Sequence, residues 1–154
     1  MTAASPWLVH GSAIAAGPRA VLIRGIAGAG KSDLALRCLH LSVSDPEFQR
    51  FLLVSDDQVW LTPDAQGLIA SAPPQIHGKL EVRGVGIVDA ETCQQARLAL
   101  VVDLVAADTI ERLPQIEHCD LRGVRIPRVW LAPFEASAPL KLLLSLKAAI
   151  SRHS

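Results

Sequence analysis

One glycine-rich segment has the residue types and the spacing that bind phosphate groups. It reads Gly25-Ile26-Ala27-Gly28-Ala29-Gly30-Lys31-Ser32 and matches the pattern GxxxxGK[ST] in full. Glycines let backbone N–H groups curve around an anion without Cβ clashes, and the N-terminus of a following helix adds partial positive charge. The lysine of this pattern reaches the β- and γ-phosphates of a nucleotide, and the serine hydroxyl ligates Mg²⁺. This glycine-rich motif (residues 25–32) therefore predicts a nucleotide site. The alternatives are a chance turn and a Rossmann-type turn, for which Lys-Ser is the wrong signature.

Two adjacent carboxylates, Asp56 and Asp57, are the second candidate for chemistry. They directly follow the apolar segment 51–55. An acid at the tip of a core strand, beside a phosphate-binding turn, is where a further Mg²⁺ contact is found. Of two neighbouring carboxylates, one can hold Mg²⁺ while the other accepts a proton from an attacking hydroxyl. The alternative is an ordinary turn or helix cap, where aspartate is also favoured.

Two further residues carry weaker signals. Glu81 opens the segment Glu81-Val82-Arg83-Gly84-Val85-Gly86-Ile87-Val88-Asp89, whose glycines allow a bulge or a close backbone approach to a ligand. Glu81 is a candidate third metal contact, and an ordinary exposed strand explains the segment equally well. His10 precedes the glycine-rich motif by one short hairpin and is a candidate for positioning or protonating a reacting group. A structural role is the commoner one for such a histidine.

The elements that must position these residues are mostly strands. Apolar patterns predict strands at 7–14, 19–24, 51–55, 58–61, 67–71, 79–88, 98–105 and 123–131. Helical spacing predicts one helix from Lys31 to about Ser42 and another from Pro139 to about Arg152. The second helix is expected to place on one side Leu140, Leu143, Leu144 and Ala148. Because strands outnumber helices, the predicted fold is α/β with a mixed sheet.

The composition favours one compact domain and disfavours several classes of partner. Half of the 154 residues are apolar, and 15 basic residues balance 15 acidic ones. That balance argues against binding to nucleic acid or a membrane surface, and an aromatic content of 4% argues against a stacking platform for nucleic acid. No apolar run is long enough for a membrane span, and the first residues lack the features of a signal peptide. The separated cysteines Cys38, Cys93 and Cys119 predict neither a disulfide framework nor a zinc site, so a cytoplasmic location is expected.

Four blocks of residues together resemble one known family. They are His10-Gly11, the glycine-rich motif, Leu53-Val54-Ser55-Asp56-Asp57 and Glu81-Val82-Arg83-Gly84-Val85-Gly86-Ile87. In this order they resemble the catalytic domain of HPr kinase/phosphorylase, the bacterial serine kinase of the phosphotransferase system. The resemblance implies a nucleotide-binding core like that of phosphoenolpyruvate carboxykinase. It also implies phosphorylation of a serine on the small carrier protein HPr with ATP and Mg²⁺. In the family the phosphate loop holds either ATP or pyrophosphate, and the reverse reaction is phosphorolysis of phosphoserine.

The resemblance also implies roles for single residues. The implied catalytic residues are His10, Lys31, Asp56, Asp57 and Arg112, and the implied magnesium ligands are Ser32, Asp57 and Glu81. Arg112 is included because the family has a later active-site arginine, and the best match in this sequence is Arg112 within Ile110-Glu111-Arg112-Leu113. Which of the two aspartates is the base stays open.

This sequence departs from the family pattern at two places. Residues 133–137 read Pro-Phe-Glu-Ala-Ser where the family has a Pro-Gly-Arg-Asn-like loop tied to dephosphorylation and subunit contact. That departure predicts weakened phosphorolysis and leaves a homo-oligomer open. The early position of His10 predicts a single catalytic domain over residues 1–154 without an N-terminal regulatory domain, resembling the short form of alphaproteobacteria. A small-molecule kinase and a non-catalytic ATP-sensing module are the alternative functions.

Overall fold

The computed structural model describes residues 5–152, and strands dominate this range. The strands are β1 (Trp7–His10), β2 (Ser12–Ala16), β3 (Arg19–Arg24), β4 (Phe51–Ser55), β5 (Gln58–Asp64), β6 (Gly67–Ser71), β7 (Lys79–Val82), β8 (Gly86–Asp89), β9 (Gln95–Leu104), β10 (Glu117–Leu121) and β11 (Val124–Leu131). The helices are α1 (Lys31–Leu39) and α2 (Ala138–Arg152), with short 3₁₀ turns at Pro74–Ile76 and Ala107–Thr109. This arrangement confirms the predicted α/β fold with a mixed sheet.

Nine of the described strands form one sheet that branches at β9. Its main path runs β1-β5-β6-β9-β3-β2-β4, and β11 also pairs with β9 and carries β10 on its far side. The first residues of β9 pair with β6, whereas its last residues pair with β11. Strands β3, β9 and β11 are parallel to one another, and β4 runs in the same direction because it is antiparallel to β2, which is antiparallel to β3. The carboxyl ends of these four strands therefore lie along one edge of the sheet.

The sheet is apolar on both faces. Helices α1 and α2 cover one face, where Leu34 and Leu142 are fully buried with Ile23 of β3. The other face is covered by the sheet itself as it curls, and Leu22, Leu61 and other apolar residues fill that second cluster. A strand buried on both faces reads as a continuous apolar run, and residues 20–23 of β3 have that pattern.

Glycines divide two of the segments in which strands are predicted. The predicted strand 7–14 is two strands, β1 and β2, which are separated by Gly11. Glycine is favoured there, because a Cβ would lie 2.7 Å from the carbonyl oxygen of Ile23. The segment 79–88, whose strand pattern is interrupted by Gly84 and Gly86, is the hairpin β7–β8, which lies apart from the main sheet. Its turn places Gly84 and Gly86 at φ of 86° and 117°, in the left-handed region that favours glycine. In both places the apolar pattern continues across a residue at which the chain changes direction.

The last two strands, β10 and β11, differ in how well the sequence indicated them. Strand β10 was not predicted, because its sequence Glu-His-Cys-Asp-Leu lacks a strong apolar pattern. Among the described strands it pairs with β11 alone. Strand β11 continues through Pro127, and it pairs with β9 from Arg128 onward. Proline cannot donate to a strand ladder, and here its partner His118 is on β10.

The face of α2 predicted from the sequence is wrong for three of its four residues. Leu143 is buried, but Leu140, Leu144 and Ala148 are exposed. The residues that pack into the core are instead Ala138, Leu142, Leu143, Leu146 and Ala149. Leucines stand at both sets of positions, so their spacing alone leaves the buried side of the helix undetermined.

Two findings concern membrane-spanning helices and cysteines. Neither helix of residues 5–152 combines the length and apolarity needed to cross a membrane. All three cysteines are free thiols. Burial raises the pKa of the Cys38 thiol to about 12, so this thiol remains protonated near neutral pH.

A pair of leucine substitutions on α2 tests which face supports the fold. We expect Leu142→Ala to lower the free energy of unfolding by about 2–5 kcal/mol, because it leaves a cavity in the core. The matched control Leu144→Ala should change it by less than about 0.5 kcal/mol, because that side chain is 63% exposed. Urea denaturation of both variants measures the difference. Equal losses would contradict the packing of α2.

Candidate active site

The candidate site lies where four strands end side by side. The glycine-rich motif follows β3, the aspartate pair follows β4, residues 105–116 follow β9, and residues 132–137 follow β11. Strand β2 begins at the same edge, since Ser12 pairs with Ile23 near the end of β3. Ligands of open α/β sheets bind at this carboxyl edge, because connecting loops can vary there without disturbing the core.

The glycine-rich motif makes a tight turn from β3 into α1. Gly28 and Gly30 have φ of 81° and 100°, and Gly30 is the N-cap of α1. The backbone N–H of Leu34 donates to the Gly30 carbonyl at 2.9 Å, so the helix begins directly at the turn. The N–H groups of the first helical turn, which lack partners within the helix, therefore follow the turn directly. This is the strand–turn–helix context that the motif requires.

The Lys31 ammonium is folded back over this turn. Its Nζ donates to the carbonyl oxygens of Gly25 at 2.9 Å and Ile26 at 3.0 Å, and the residue is only 8% exposed. An ammonium has three protons, so one donor remains for a phosphate oxygen. The turn thus carries a fixed positive charge beside the helix N-terminus.

The Asp56 carboxylate is buried at the centre of the site. Its Oδ1 accepts hydrogen bonds from the Ser12 and Ser32 hydroxyls, both at 2.7 Å, and its Oδ2 accepts the Glu81 backbone N–H at 3.2 Å. The residue is 6% exposed, and within residues 5–152 it forms no ion pair. A buried carboxylate without a cationic partner attracts a cation. Hard oxygen donors such as this carboxylate and the Ser32 hydroxyl suit Mg²⁺, which binds through one or two protein ligands together with phosphates and water.

Asp57 differs from Asp56 in its exposure. Its φ of 71° is left-handed, and it directs the carboxylate outward, where 67% of the side chain is exposed. Its Oδ1 lies 3.6 Å from His10 Nδ1. The break at Gly11 produces this contact, because the Gly11 N–H donates to the Asp57 carbonyl at 2.9 Å. The predicted residues His10 and Asp57 are therefore brought together beside Asp56.

The structure does not assemble the other predicted residues to the same degree. Glu81 contributes its backbone N–H, while its side chain is exposed on β7. Within residues 5–152 no three His, Cys, Asp or Glu side chains are grouped closely enough to hold a metal. Arg112 is exposed in the connection after β9, which leaves the same edge, and no described residue forms a hydrogen bond or ion pair with it.

The sequence did not indicate three residues that stabilise the site, Ser12, Arg24 and Asp103. Ser12 is fully buried, and only the folded chain brings it to Asp56, which is 44 positions away. Arg24, the last residue of β3, forms a two-fold hydrogen bond with Asp103 of β9 at 2.8 and 2.9 Å. This bond raises the pKa of Arg24 and secures the strand end from which the glycine-rich motif starts. No local pattern marks any of these three residues.

Arg128 completes that cluster from the third parallel strand. Its Nε lies 3.3 Å from Asp103 Oδ2, close enough for an ion pair but not aligned for a hydrogen bond. Its guanidinium also stacks 4.1 Å above the Trp130 ring. One carboxylate thus ties together the ends of β3, β9 and β11.

Fold and site together define a mixed α/β domain in which a phosphate-loop type of turn adjoins a buried carboxylate. Residues 2–149 match the family described as HPr Serine kinase C-terminal domain, and the chain belongs to that family. The match confirms the resemblance predicted from the four residue blocks.

Two curated relatives and one solved structure illustrate the family relationship. The HPr kinase/phosphorylase of Bordetella pertussis is 36% identical over 154 aligned residues, which cover 92% of this chain and 46% of the relative. That of Malacoplasma penetrans is 27% identical and is covered to 50%. The chain thus spans about half the length of these relatives. A structure of the Hpr(Ser) kinase/phosphatase from Coxiella burnetii matches with a TM-score of 0.77 at 22% identity, covering 96% of this chain and 98% of that one. At this identity the likeness shows the fold alone.

A double-mutant cycle tests the buried hydrogen bond between Ser12 and Asp56. We expect the Ser12→Ala, Asp56→Ala and double variants to give a coupling energy of about 1.5–3 kcal/mol, the range for a hydrogen bond to a charged group. Urea unfolding without nucleotide provides the four free energies. The pair Ser145→Ala and Asp120→Ala is a distant control that should show additive effects. Additive effects at Ser12 and Asp56 would contradict the contact.

Proposed function

We propose that this chain is an ATP- and Mg²⁺-dependent protein-serine kinase that acts on an HPr-like phosphocarrier protein in the cytoplasm. Family membership and the names of the relatives support the reaction type. The observation that carries the proposal is the Asp56 carboxylate, buried against the Ser32 hydroxyl at the end of the glycine-rich motif. It joins a phosphate-binding turn, a hydroxyl and a carboxylate in one arrangement suited to phosphoryl transfer.

The glycine-rich motif is proposed to hold the phosphates of ATP. Its backbone N–H groups would donate hydrogen bonds to phosphate oxygens. The remaining proton of the Lys31 ammonium would donate to an oxygen of the transferred phosphoryl group. Ser32 and Asp56 would hold Mg²⁺. Glu81 remains a predicted ligand, and Asp57, which the family resemblance also implies as a ligand, is proposed as the proton acceptor instead. When bound, Mg²⁺ neutralises charge on the phosphates.

Asp57 is the better supported candidate for the proton acceptor. Its carboxylate is exposed, so a protein serine can approach it, whereas Asp56 is occupied by three donors. The serine hydroxyl would lose its proton to Asp57 as its oxygen bonds to the γ-phosphorus of ATP. The bond between that phosphorus and the oxygen bridging it to the β-phosphate would break, and ADP would leave with the bridging oxygen. His10, 3.6 Å away, would orient the Asp57 carboxylate. Arg112 is proposed to approach the active site from the exposed connection that follows β9.

The segment 133–137 supports a proposal of weak phosphorolysis. It reads Pro-Phe-Glu-Ala-Ser in place of the loop that the family resemblance ties to dephosphorylation. Incubation of the phosphoserine carrier with inorganic phosphate would measure phosphorolysis directly, because the phosphate would accept the phosphoryl group to form pyrophosphate and leave the free serine.

Charge removal at Asp57 tests the catalytic proposal. The Asp57→Asn variant should lower kcat by about a hundredfold or more while retaining ATP affinity, because it removes the proton acceptor. Asparagine adopts the left-handed conformation readily, so the local backbone is preserved. The measurement uses radiolabelled ATP, Mg²⁺ and the purified HPr homologue of the same cell. Calorimetry measures ATP binding in parallel.

Controls separate the outcomes of that assay. Asp120→Asn, in the distant β10–β11 hairpin, should behave as wild type, and Lys31→Ala should lose ATP binding. ATP binding without carrier phosphorylation by the wild-type protein would overturn the kinase proposal and favour the ATP-sensing module. Consumption of ATP with a metabolite and no carrier would favour the small-molecule kinase.

A further inference from the structure

Phe134 is an exposed aromatic side chain in contact with the glycine-rich motif. The residue is 72% exposed. A Cβ placed on Gly30 would lie 3.0 Å from Cζ and 3.1 Å from Cε1 of the Phe134 ring. The ring edge therefore rests on the glycine that begins α1, and most of the ring surface faces solvent.

The backbone on both sides of Phe134 is attached to α1. Arg37 donates one hydrogen bond to the Pro133 carbonyl and another, at 3.2 Å, to the Glu135 carbonyl. Its Nε is held by Asp33 at 3.0 Å, four residues earlier on the helix. The position of the ring is thus tied to the helix whose N-terminus completes the motif.

Sheet topology places Phe134 on one flank of the motif and the aspartates on the other. Strand β3 leads into the motif, and Asp56 and Asp57 follow β4, beyond β2 on one side. Phe134 follows β11, beyond β9 on the opposite side. A nucleotide whose phosphates lie in the motif, with its transferable end toward the aspartates, extends its base toward the other flank.

We propose that Phe134 is a stacking platform for the adenine base of ATP. The inference rests on the proposed function, and it assigns the base rather than the phosphates. An aromatic ring stacks on any nucleobase, and the larger surface of a purine gains more than that of a pyrimidine. The ring is already held on the motif, so stacking requires no rearrangement of the segment 133–137.

Binding measurements on Phe134 variants test this platform independently of catalysis. Calorimetry with Mg²⁺ present compares ATP, CTP and inorganic tripolyphosphate as ligands. We expect Phe134→Ala to weaken ATP binding about tenfold, the scale of base–aromatic stacking, and to change tripolyphosphate binding less than twofold. The preference for ATP over CTP should shrink in the same variant. Phe134→Trp should restore ATP affinity, and Leu144→Ala, another exposed apolar side chain, should bind all three ligands as wild type.

Specific results would overturn the platform. They are unchanged ATP affinity in Phe134→Ala, an equal loss for tripolyphosphate, or a higher KM for the carrier with unchanged ATP affinity, which would make Phe134 a contact for the protein substrate. These outcomes are distinct from failure of the proposed function. A wild-type protein that binds ATP through Phe134 and phosphorylates no carrier retains the platform and loses the kinase. A wild-type protein that binds no ATP loses both.

Discussion

A buried carboxylate without a cation is the constraint on which this site depends. Asp56 is almost fully shielded from water, and among residues 5–152 its partners are the Ser12 and Ser32 hydroxyls and the Glu81 backbone N–H. Burial of such a charge is unfavourable unless its hydrogen bonds are made, so each donor must be held in place. Those donors come from β2, α1 and β7, three elements far apart in the chain. The need to satisfy one carboxylate thus determines how the glycine-rich motif, the start of β2 and the β7–β8 hairpin meet.

The parallel strands explain why all of this occurs at one edge. Strands β3, β4, β9 and β11 point the same way, so the loops that follow them converge. Asp103 strengthens the convergence, because it binds Arg24 on one neighbouring strand and Arg128 on the other. The carboxyl edge of the sheet therefore has two chemically different sides. Carboxylates and His10 gather on the β4 side, and the aromatic ring of Phe134 stands on the β11 side.

Local signals predicted the parts of this protein in which neighbouring residues decide the outcome. The ends of β3 and β4 were predicted correctly, because each is a short apolar run bounded by polar or glycine residues. The glycine-rich motif was equally clear, since its function depends on spacing within one turn. Where two apolar stripes compete, as on α2, or where a glycine interrupts an apolar run, as at Gly11, periodicity failed. Strand β10 escaped prediction because pairing with β11, and not its own composition, makes it a strand.

The sequence by itself determined the family, the mixed α/β class and the motif that faces phosphate, because these depend on residue types at fixed short spacings. Only the tertiary structure distinguished Asp56 from Asp57. The two are adjacent in the chain and chemically identical, yet one is buried under Ser12 and Ser32 and the other is turned outward beside His10. Likewise, only the strand order set Phe134 opposite the aspartates. Such distinctions arise from contacts across dozens of residues, and no local pattern encodes them.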